Sequence, residues 1–223
     1  MDFMKWLNSL DELLYEVISW LIFYPLTLGR ILLRPIATMG YADRQLELPQ
    51  DQQYRAALSP PLFLGLTLLI AHLAGIALGE TDQLVADHRG LAGMIADDSS
   101  ALVFRLLIFS VFPLLMSLHF VWRRRLKLDR DTLRLPFYAQ CYPAAIFALG
   151  LSCGTVIGGL KGDAASWAGA AIVAVAILLY LLVEARWFAL QFGNGLLRGG
   201  MTALAGIVEG LIIVLGAGLL LGL

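Results

Sequence analysis

The sequence contains little charge. Asp, Glu, Lys and Arg make up only 15% of its 223 residues, whereas soluble domains average about 25%. Hydrophobic residues account for 59%, and the mean hydropathy is +0.78. The charges are clustered, and between the clusters run apolar stretches of about 19 residues or more, which is enough to cross the ~30 Å hydrocarbon layer of a bilayer. This composition excludes an ordinary soluble domain and predicts an integral membrane protein.

Cysteine is also scarce. Cys141 and Cys153 are the only two, and both fall in one apolar stretch. Twelve residues of helix would separate them by roughly 18 Å, which is too far for a disulfide. We therefore predict two reduced, buried thiols. The sequence has no Cys-x-x-Cys and no His/Cys cluster, so it predicts no metal site.

Motifs that would indicate an enzyme are missing as well. The sequence has no Gly-rich phosphate-binding loop, no His-Glu-x-x-His and no Gly-x-Ser-x-Gly. It also lacks the basic and aromatic surface that binds nucleic acid. We expect a non-enzymatic protein with no catalytic residues, no cofactor and no nucleic-acid partner. A membrane enzyme is the weaker alternative.

Five apolar stretches predict transmembrane helices, and Pro60 and Pro61 fit the start of the first because proline is accepted in the first turn of a helix. The stretches cover residues 61–79, 101–121, 136–158, 166–186 and 200–222. The predicted fold is an all-α integral membrane protein. Its five-helix transmembrane domain occupies residues 60–223, after an N-terminal segment over residues 1–59.

The N-terminal segment predicts helices that lie on the membrane surface. Over residues 3–38 an apolar stripe occupies one helical face, and Glu16 lies on the other. Pro25 interrupts the pattern, so we expect amphipathic helices in the interface, broken near Pro25 and followed by a polar connector over residues 39–59. The alternative is a sixth span over residues 13–33, against which Glu16 and Pro25 count.

The basic residues predict the orientation. Thirteen of them lie before the first span, after the second and around the end of the fourth, whereas only Arg89 and Lys161 lie in the other two connectors. Basic connectors stay in the cytoplasm. The sequence thus predicts a protein of the bacterial inner membrane, with a cytoplasmic N-terminus and a periplasmic C-terminus. The periplasmic loop over residues 80–100 is acidic.

Two polar residues fall near the middle of predicted spans, His72 in the first and Glu209 in the fifth. By rise per residue, His72 lies about 16 Å and Glu209 about 14 Å from the cytoplasmic end. A carboxylate at this depth costs several kcal/mol unless it is protonated, paired or facing water. We therefore predict that His72 and Glu209 can share a hydrogen bond. This bond either holds helices together or forms part of a proton or solute path. A neutral glutamic acid that faces a partner subunit is a further alternative.

Other charged residues lie nearer the ends of the spans. Arg105 and His119 are near opposite ends of the second span, and Arg105 can reach the interface with its long side chain. Glu184 and Arg186 are near the cytoplasmic end of the fourth span. We expect each of these two to reach lipid headgroups or neighbouring basic residues.

The densest basic cluster follows the second span. It consists of Arg123, Arg124, Arg125, Lys127, Arg130 and Arg134. At an anionic membrane surface each base contributes about 1 kcal/mol of attraction. The cluster predicts an anchor that fixes the topology, with the binding of lipid headgroups or a partner as the alternative.

Small residues recur at intervals of four. Gly150, Gly154 and Gly158 do so on the third predicted span, and Gly206 and Gly210 on the fifth. This spacing lets helices approach closely. We predict packing within one bundle, and a seam between two copies is the alternative.

The layout resembles the bacterial branch of the Yip-type membrane proteins, which have a cytoplasmic N-terminal segment followed by five spans. Residues 24–35, Tyr-Pro-Leu-Thr-Leu-Gly-Arg-Ile-Leu-Leu-Arg-Pro, are similar to the family's pre-membrane segment. Residues 133–143, Leu-Arg-Leu-Pro-Phe-Tyr-Ala-Gln-Cys-Tyr-Pro, are similar to the entry to its third span. The acidic loop and Glu209 have no counterpart in the family pattern. The resemblance implies a non-enzymatic protein linked to membrane organisation.

Together these features predict an accessory or membrane-organising subunit of the inner membrane. Its partners would be the lipid bilayer and either further copies of itself or a larger membrane complex. The alternative is a small permease-like transporter or channel that uses His72 and Glu209. An uneven number of spans counts against the internal repeats that many transporters contain.

Overall fold

A computed structural model describes residues 2–78 and 98–221 of the chain. Within these ranges it contains seven α-helices, a short 3₁₀ helix at Gln50–Gln52 and no strand. The α-helices are α1 Asp2–Leu33, α2 Pro35–Leu46, α3 Pro60–Ala77, α4 Asp98–Arg123, α5 Arg130–Gly158, α6 Asp163–Phe192 and α7 Leu196–Leu221. The prediction of an all-α fold is confirmed. Most of the predicted acidic loop lies outside the described residues.

Six of the described helices are long and apolar enough to cross a membrane. Helices α3 to α7 correspond to the five predicted spans, and their ends agree with the predicted ends to within about six residues. The sixth is α1, through its apolar part Leu10–Leu33. The chain is therefore a helical, multi-pass membrane protein, but the predicted count of five spans is not confirmed.

Helix α5 lies at the centre of the bundle. It packs most extensively against α6 and also contacts α1, α2, α3 and α4, while α7 packs against α6 and α4. Every residue of α5 from Ala139 to Ala145 is buried. Alanine side chains make up much of this stretch, and their small size lets several helices approach α5 at once.

The contact between α5 and α6 is close enough to require glycine. A Cβ placed on Gly154 would lie 2.9 Å from the carbonyl oxygen of Gly169. A Cβ on Gly169 would lie 2.5 Å from the backbone nitrogen of Gly158. On α7, Gly206 and Gly210 likewise face side chains of α4. The prediction that these glycines serve packing within one bundle is confirmed.

The two cysteines are free thiols, as predicted. Cys141 is buried, but Cys153 is exposed, so the expectation of two buried thiols is wrong for Cys153. The reason is that Cys141 lies in the buried middle of α5, whereas Cys153 lies nearer its C-terminal end, where several residues are partly or fully exposed.

The N-terminal helix is continuous where a break was predicted. Pro25 lies inside α1, and the chain leaves helical geometry only at Arg34, with φ −141° and ψ 61°, immediately before Pro35. A proline disfavours helical geometry in the residue that precedes it, and Arg34 follows this rule. The expected break near Pro25 is therefore wrong, and the real boundary lies between α1 and α2.

Contacts on both sides of Pro25 hold α1 along α3. The Tyr24 hydroxyl donates to the Thr67 hydroxyl at 3.3 Å, and the backbone N–H of Leu58 donates to the Thr27 hydroxyl at 3.1 Å. The later residue of α1, Thr27, thus contacts Leu58, just before α3 begins, and the earlier residue, Tyr24, contacts Thr67 within α3. The two helices run antiparallel, and the N-terminal part of α1 points in the direction of the C-terminal end of α3.

The end of the bundle that carries α2 and the turn from Arg123 to Arg134 is called the basic end. Here α2 crosses the predicted boundary at residue 38 between the interfacial segment and the polar connector, and it buries Thr38, Met39 and Ala42. The segment that follows is tied to α5, because the buried Tyr142 hydroxyl donates to the carbonyl oxygen of Leu58 at 2.7 Å. Helix α2 and the segment over residues 47–59 therefore form a cap on this end of the bundle.

The packing of α5 on α6 generates a first prediction. Replacing Gly169 by Ala should destabilise the protein by about 1–3 kcal/mol, because the added methyl group overlaps the backbone of α5. Thermal unfolding in detergent would measure the change. The matched control is Gly65→Ala on α3, where an added Cβ meets nothing within 4 Å. Equal stability of the two variants would contradict the packing described above.

The cap generates a second prediction, which concerns Asp43. Burial raises the pKa of this carboxyl group from 3.8 to about 6, so the folded cap binds a proton more tightly than the unfolded chain does. Its stability should then be highest below about pH 4 and should fall as the pH rises through about 6. Asp43→Asn should remove this part of the pH dependence. Hydrogen exchange of α2 amides at several pH values would measure it, and an unchanged profile in the variant would contradict it.

Candidate functional site: polar side chains in the helical bundle

Glu209 has a partner other than the predicted one. Its carboxylate oxygen Oε2 lies 3.0 Å from Nε2 of His119 on α4. The expected bond with His72 is therefore replaced by a bond with His119. Helix α3, which carries His72, packs on α5 and less extensively on α4, and there His72 is buried. The two residues chosen from the sequence are thus not brought together.

Close packing of α4 on α7 explains why His119 and Glu209 meet. A Cβ on Gly206 would lie 2.9 Å from the sulfur of Met116, and one on Gly210 would lie 2.7 Å from the ring of Phe112. These contacts show that α4 and α7 run antiparallel with their surfaces touching. Glycine at these positions brings the two backbones near enough for a histidine on one helix to reach a glutamate on the other.

The pair lies nearer the basic end than the sequence suggested. His119 is four residues, about 6 Å of helix, from Arg123, and Arg123 hydrogen-bonds to the hydroxyl of Thr202 on α7. Side chains of a helix point back towards its N-terminus, which carries the Glu209 carboxyl group towards the basic end as well. His119 was predicted near the end of its span and Glu209 near the middle of its span. The direction of the Glu209 side chain explains how the two can still be in contact.

The Glu209 carboxylate also faces outwards. Its side chain is 46% exposed, compared with 16% for His119. The residues beside it on α7 include Val208 and Ile212, which are apolar and exposed. A polar pair is therefore presented on an apolar outer surface, which we call the α4–α7 face.

A second carboxyl group occupies the opposite environment. Glu184 on α6 is 0% exposed, so the expectation that it reaches lipid headgroups is wrong. The side-chain amide of Gln140 on α5, also 0% exposed, is the polar group beside it. The two groups do not meet hydrogen-bond geometry, and among the described residues neither they nor the Tyr180 hydroxyl has a hydrogen-bond partner.

The length of α6 explains this burial. The predicted fourth span ended at residue 186, but α6 continues to Phe192, where Gly193 in left-handed geometry (φ 60°) terminates it. Glu184 is thereby eight residues, about 12 Å, inside the helix end. Sequence analysis missed Gln140 and Tyr180. Helical spacing of Tyr180 and Glu184, four residues apart, was the signal that could have placed them on one face.

The basic cluster has two parts. Arg123 and Arg124 are held by the bundle: both lie over the ring of Phe192, at 5.5 Å and 5.7 Å, and Arg124 donates to the carbonyl oxygen of Gln191. Arg134 lies 5.5 Å from the ring of Tyr138. The remaining members, Arg125, Lys127 and Arg130, are exposed. All six are exposed, but the first two arginines also join α4 to the end of α6.

The turn within this cluster is well defined. Asp129 caps α5 through a reciprocal pair of hydrogen bonds with Thr132. These bonds lower the pKa of the exposed Asp129 carboxyl group, since the backbone N–H of Thr132 stabilises the charged form. The start of α5, and with it the spacing of the exposed bases, is fixed by this cap.

The described residues form no metal-binding cluster. In the ranges that the structure describes, no three His, Cys, Asp or Glu side chains are grouped so that they could hold a metal ion. No family model, curated protein or solved structure matches the chain. The site is therefore interpreted from its own geometry.

A double-mutant cycle tests the pairing of Glu209. We expect His119→Phe and Glu209→Leu to show a coupling free energy of about 0.6 kcal/mol, and at most about 1.7, which is the range of side-chain hydrogen bonds within membranes. Unfolding in mixed micelles would measure it.

The matched control is the cycle of His72→Phe with Glu209→Leu. These two changes should be additive, because His72 lies on a helix that does not share the contact. A larger coupling for His72 than for His119 would contradict the pairing.

Proposed function

We propose that this protein is a non-enzymatic, membrane-organising subunit that associates with a second copy of itself through the α4–α7 face. The half-exposed Glu209 carboxylate, paired with His119 on an otherwise apolar surface, carries the proposal. A carboxyl group exposed to hydrocarbon costs several kcal/mol. Covering it with a second protein surface removes this cost.

The chemistry of the pair favours a second copy. Nε2 of His119 and one oxygen of the Glu209 carboxylate are engaged with each other. When the histidine is protonated, its second ring N–H is left as a donor and the other carboxylate oxygen as an acceptor for a further contact. A two-fold axis brings the same patch of both copies together, so that donor meets acceptor twice. A polar pair of this kind is complementary to itself.

Crosslinking in native membranes tests the association. A photoreactive residue at Ile212, exposed beside Glu209, should yield an adduct of twice the 24.4 kDa chain mass. Glu209→Leu should reduce the yield severalfold, because the polar contact is lost. The control position is Leu182 on α6, which is 49% exposed against 64% for Ile212 and lies on another helix.

Two results would overturn the proposal. Equal adduct yields at positions 212 and 182 would indicate random collisions in the bilayer. An adduct of a different mass at position 212 would indicate a different partner, and the protein would then be an accessory subunit of a larger complex.

For the topology, we propose that the basic end is cytoplasmic and that the protein lies in the bacterial inner membrane. Positively charged loops are retained in the cytoplasm, which supports this orientation. The similarity of residues 24–35 and 133–143 to the Yip-type proteins also supports a membrane-organising role, although the six apolar helices exceed the five spans of that layout.

The contacts of α1 favour the six-span alternative over a helix lying in the interface. Leu21, Ile22 and Leu33 are 75%, 60% and 83% exposed, so the side of α1 that faces away from the bundle is apolar, as contact with lipid requires. Glu16 is about 26 Å of helix from Leu33, which places it near the far interface of a ~30 Å layer. Both termini would then be periplasmic.

Cysteine labelling distinguishes the two topologies. In a chain without native cysteines, a cysteine replacing Asp2 should react with an impermeant reagent from the periplasmic side. A cysteine replacing Glu47 should react only after the membrane is opened. Protection of both positions from outside would restore the five-span layout with an interfacial α1.

Transport is the second candidate function. It would require a water-filled path that connects His72 with Glu209. In the described residues Glu209 instead pairs with His119 at the surface of the bundle. A proton flux in liposomes that depends on both His72 and Glu209 would favour transport over the proposed role.

A further inference from the structure

A cavity of about 410 Å³ lies on the side of the bundle formed by α1, α2, α5 and α6. Its walls are almost entirely apolar. They are formed by Ile31, Leu32, Pro35, Pro143, Ile146, Phe147, Gly150, Ala171, Ile172, Val175, Ala176, Leu179, Tyr180 and Val183. We call it the α1–α6 groove. Its volume is within the range of small-molecule binding sites, about 300–1,000 Å³.

Small residues create the groove, and aromatic residues form its floor. Gly150 and Ala176 face each other across the α5–α6 contact, which leaves space above them. Phe147 and Tyr180 stack with ring centroids 4.7 Å apart, and both rings are buried. The outer rim is open, because Leu32, Val175 and Leu179 are about half exposed.

The groove begins level with the C-terminal end of α1 and, along α6, runs away from the basic end. Pro143 follows Tyr142, whose hydroxyl is bonded to Leu58, and Leu58 is bonded in turn to Thr27. This chain of contacts sets Pro143 level with the last turns of α1. Along α6 the groove extends from Val183 to Ala171, which is about 18 Å of helix.

We propose that the α1–α6 groove binds one acyl chain of a phospholipid, with the lipid phosphate beside Arg34. The length of the groove matches one leaflet, since half of the ~30 Å hydrocarbon layer is about 15 Å. The open rim gives a lipid chain access from the bilayer. Arg34 is exposed and lies between Leu32 and Pro35, which both line the groove. A guanidinium group at this position suits a phosphate.

The contacts of the two arginines explain why the phosphate is assigned to Arg34 rather than to Arg30. The Arg30 guanidinium donates to the carbonyl oxygen of Ala56 at 2.5 Å and therefore serves the cap. The Arg34 side chain extends from the non-helical residue between α1 and α2. The proposed phosphate contact is therefore assigned to Arg34.

Native mass spectrometry of the detergent-purified protein tests the proposal, with phosphatidylglycerol titrated as the probe. Leu179→Trp should weaken the binding of one lipid at least tenfold, because the indole fills the groove. Leu178→Trp is the matched control, since Leu178 is 54% exposed, against 50% for Leu179, but does not line the groove. It should change the affinity less than twofold.

Two further variants complete the test. Arg34→Gln should weaken the binding about fivefold, the effect of one base near an anionic headgroup. Val175→Phe fills the groove at a second position and decides the outcome if Leu179→Trp does not fold, which thermal unfolding would reveal.

Three results would overturn the proposal. In the first, tryptophan at position 178 and tryptophan at position 179 weaken lipid binding equally. In the second, the wild-type protein retains no lipid. In the third, Arg34→Gln binds the lipid with unchanged affinity. The first would show that lipid binds without using the groove, and the last would remove the phosphate from the contact.

Discussion

The close approach of α5 to α6 is the contact on which the rest of the bundle depends. Gly154 and Gly169 allow the two backbones to touch. Within a membrane the surrounding lipid is as apolar as the side chains, so close packing has to supply much of the association energy that water supplies elsewhere. Fixing α5 against α6 brings Gln140 beside Glu184 and aligns the two walls of the α1–α6 groove. A larger residue at either glycine would move all of these features together.

Two carboxyl groups in this bundle are accommodated in different ways. Glu184 is enclosed between α5 and α6 with an amide beside it, away from both lipid and water. Glu209 lies at the surface of the bundle with an imidazole as its partner. An enclosed polar group depends only on the fold of its own chain. An exposed one depends on whatever covers it, and for this reason the proposed association involves Glu209 rather than Glu184.

The sequence predicted α3 to α7 well because the length of a membrane span is set by bilayer thickness, which composition alone reflects. It could not predict the partner of Glu209. Equal depth made His72 acceptable, but the choice depends on which helices are neighbours, and α7 packs on α4. Glu184 was misplaced because α6 is six residues longer at its end than hydropathy suggested. The position of α1 was ambiguous since its apolar residues occupy both the inward and the outward side, which only packing distinguishes.

The α4–α7 face and the α1–α6 groove are built from different helices. The first consists of α4 and α7, and the second of α1, α2, α5 and α6. Occupation of one therefore does not require the other to be empty. Helix α6 lines the groove and contacts α7, and α5 lines the groove and contacts α4, so these two helices connect the two surfaces. A lipid chain held against Ala176 would support the α6 backbone near mid-membrane, while Arg124 holds the end of the same helix to α4. Helices α5 and α6 thus join the proposed association surface to the proposed lipid site.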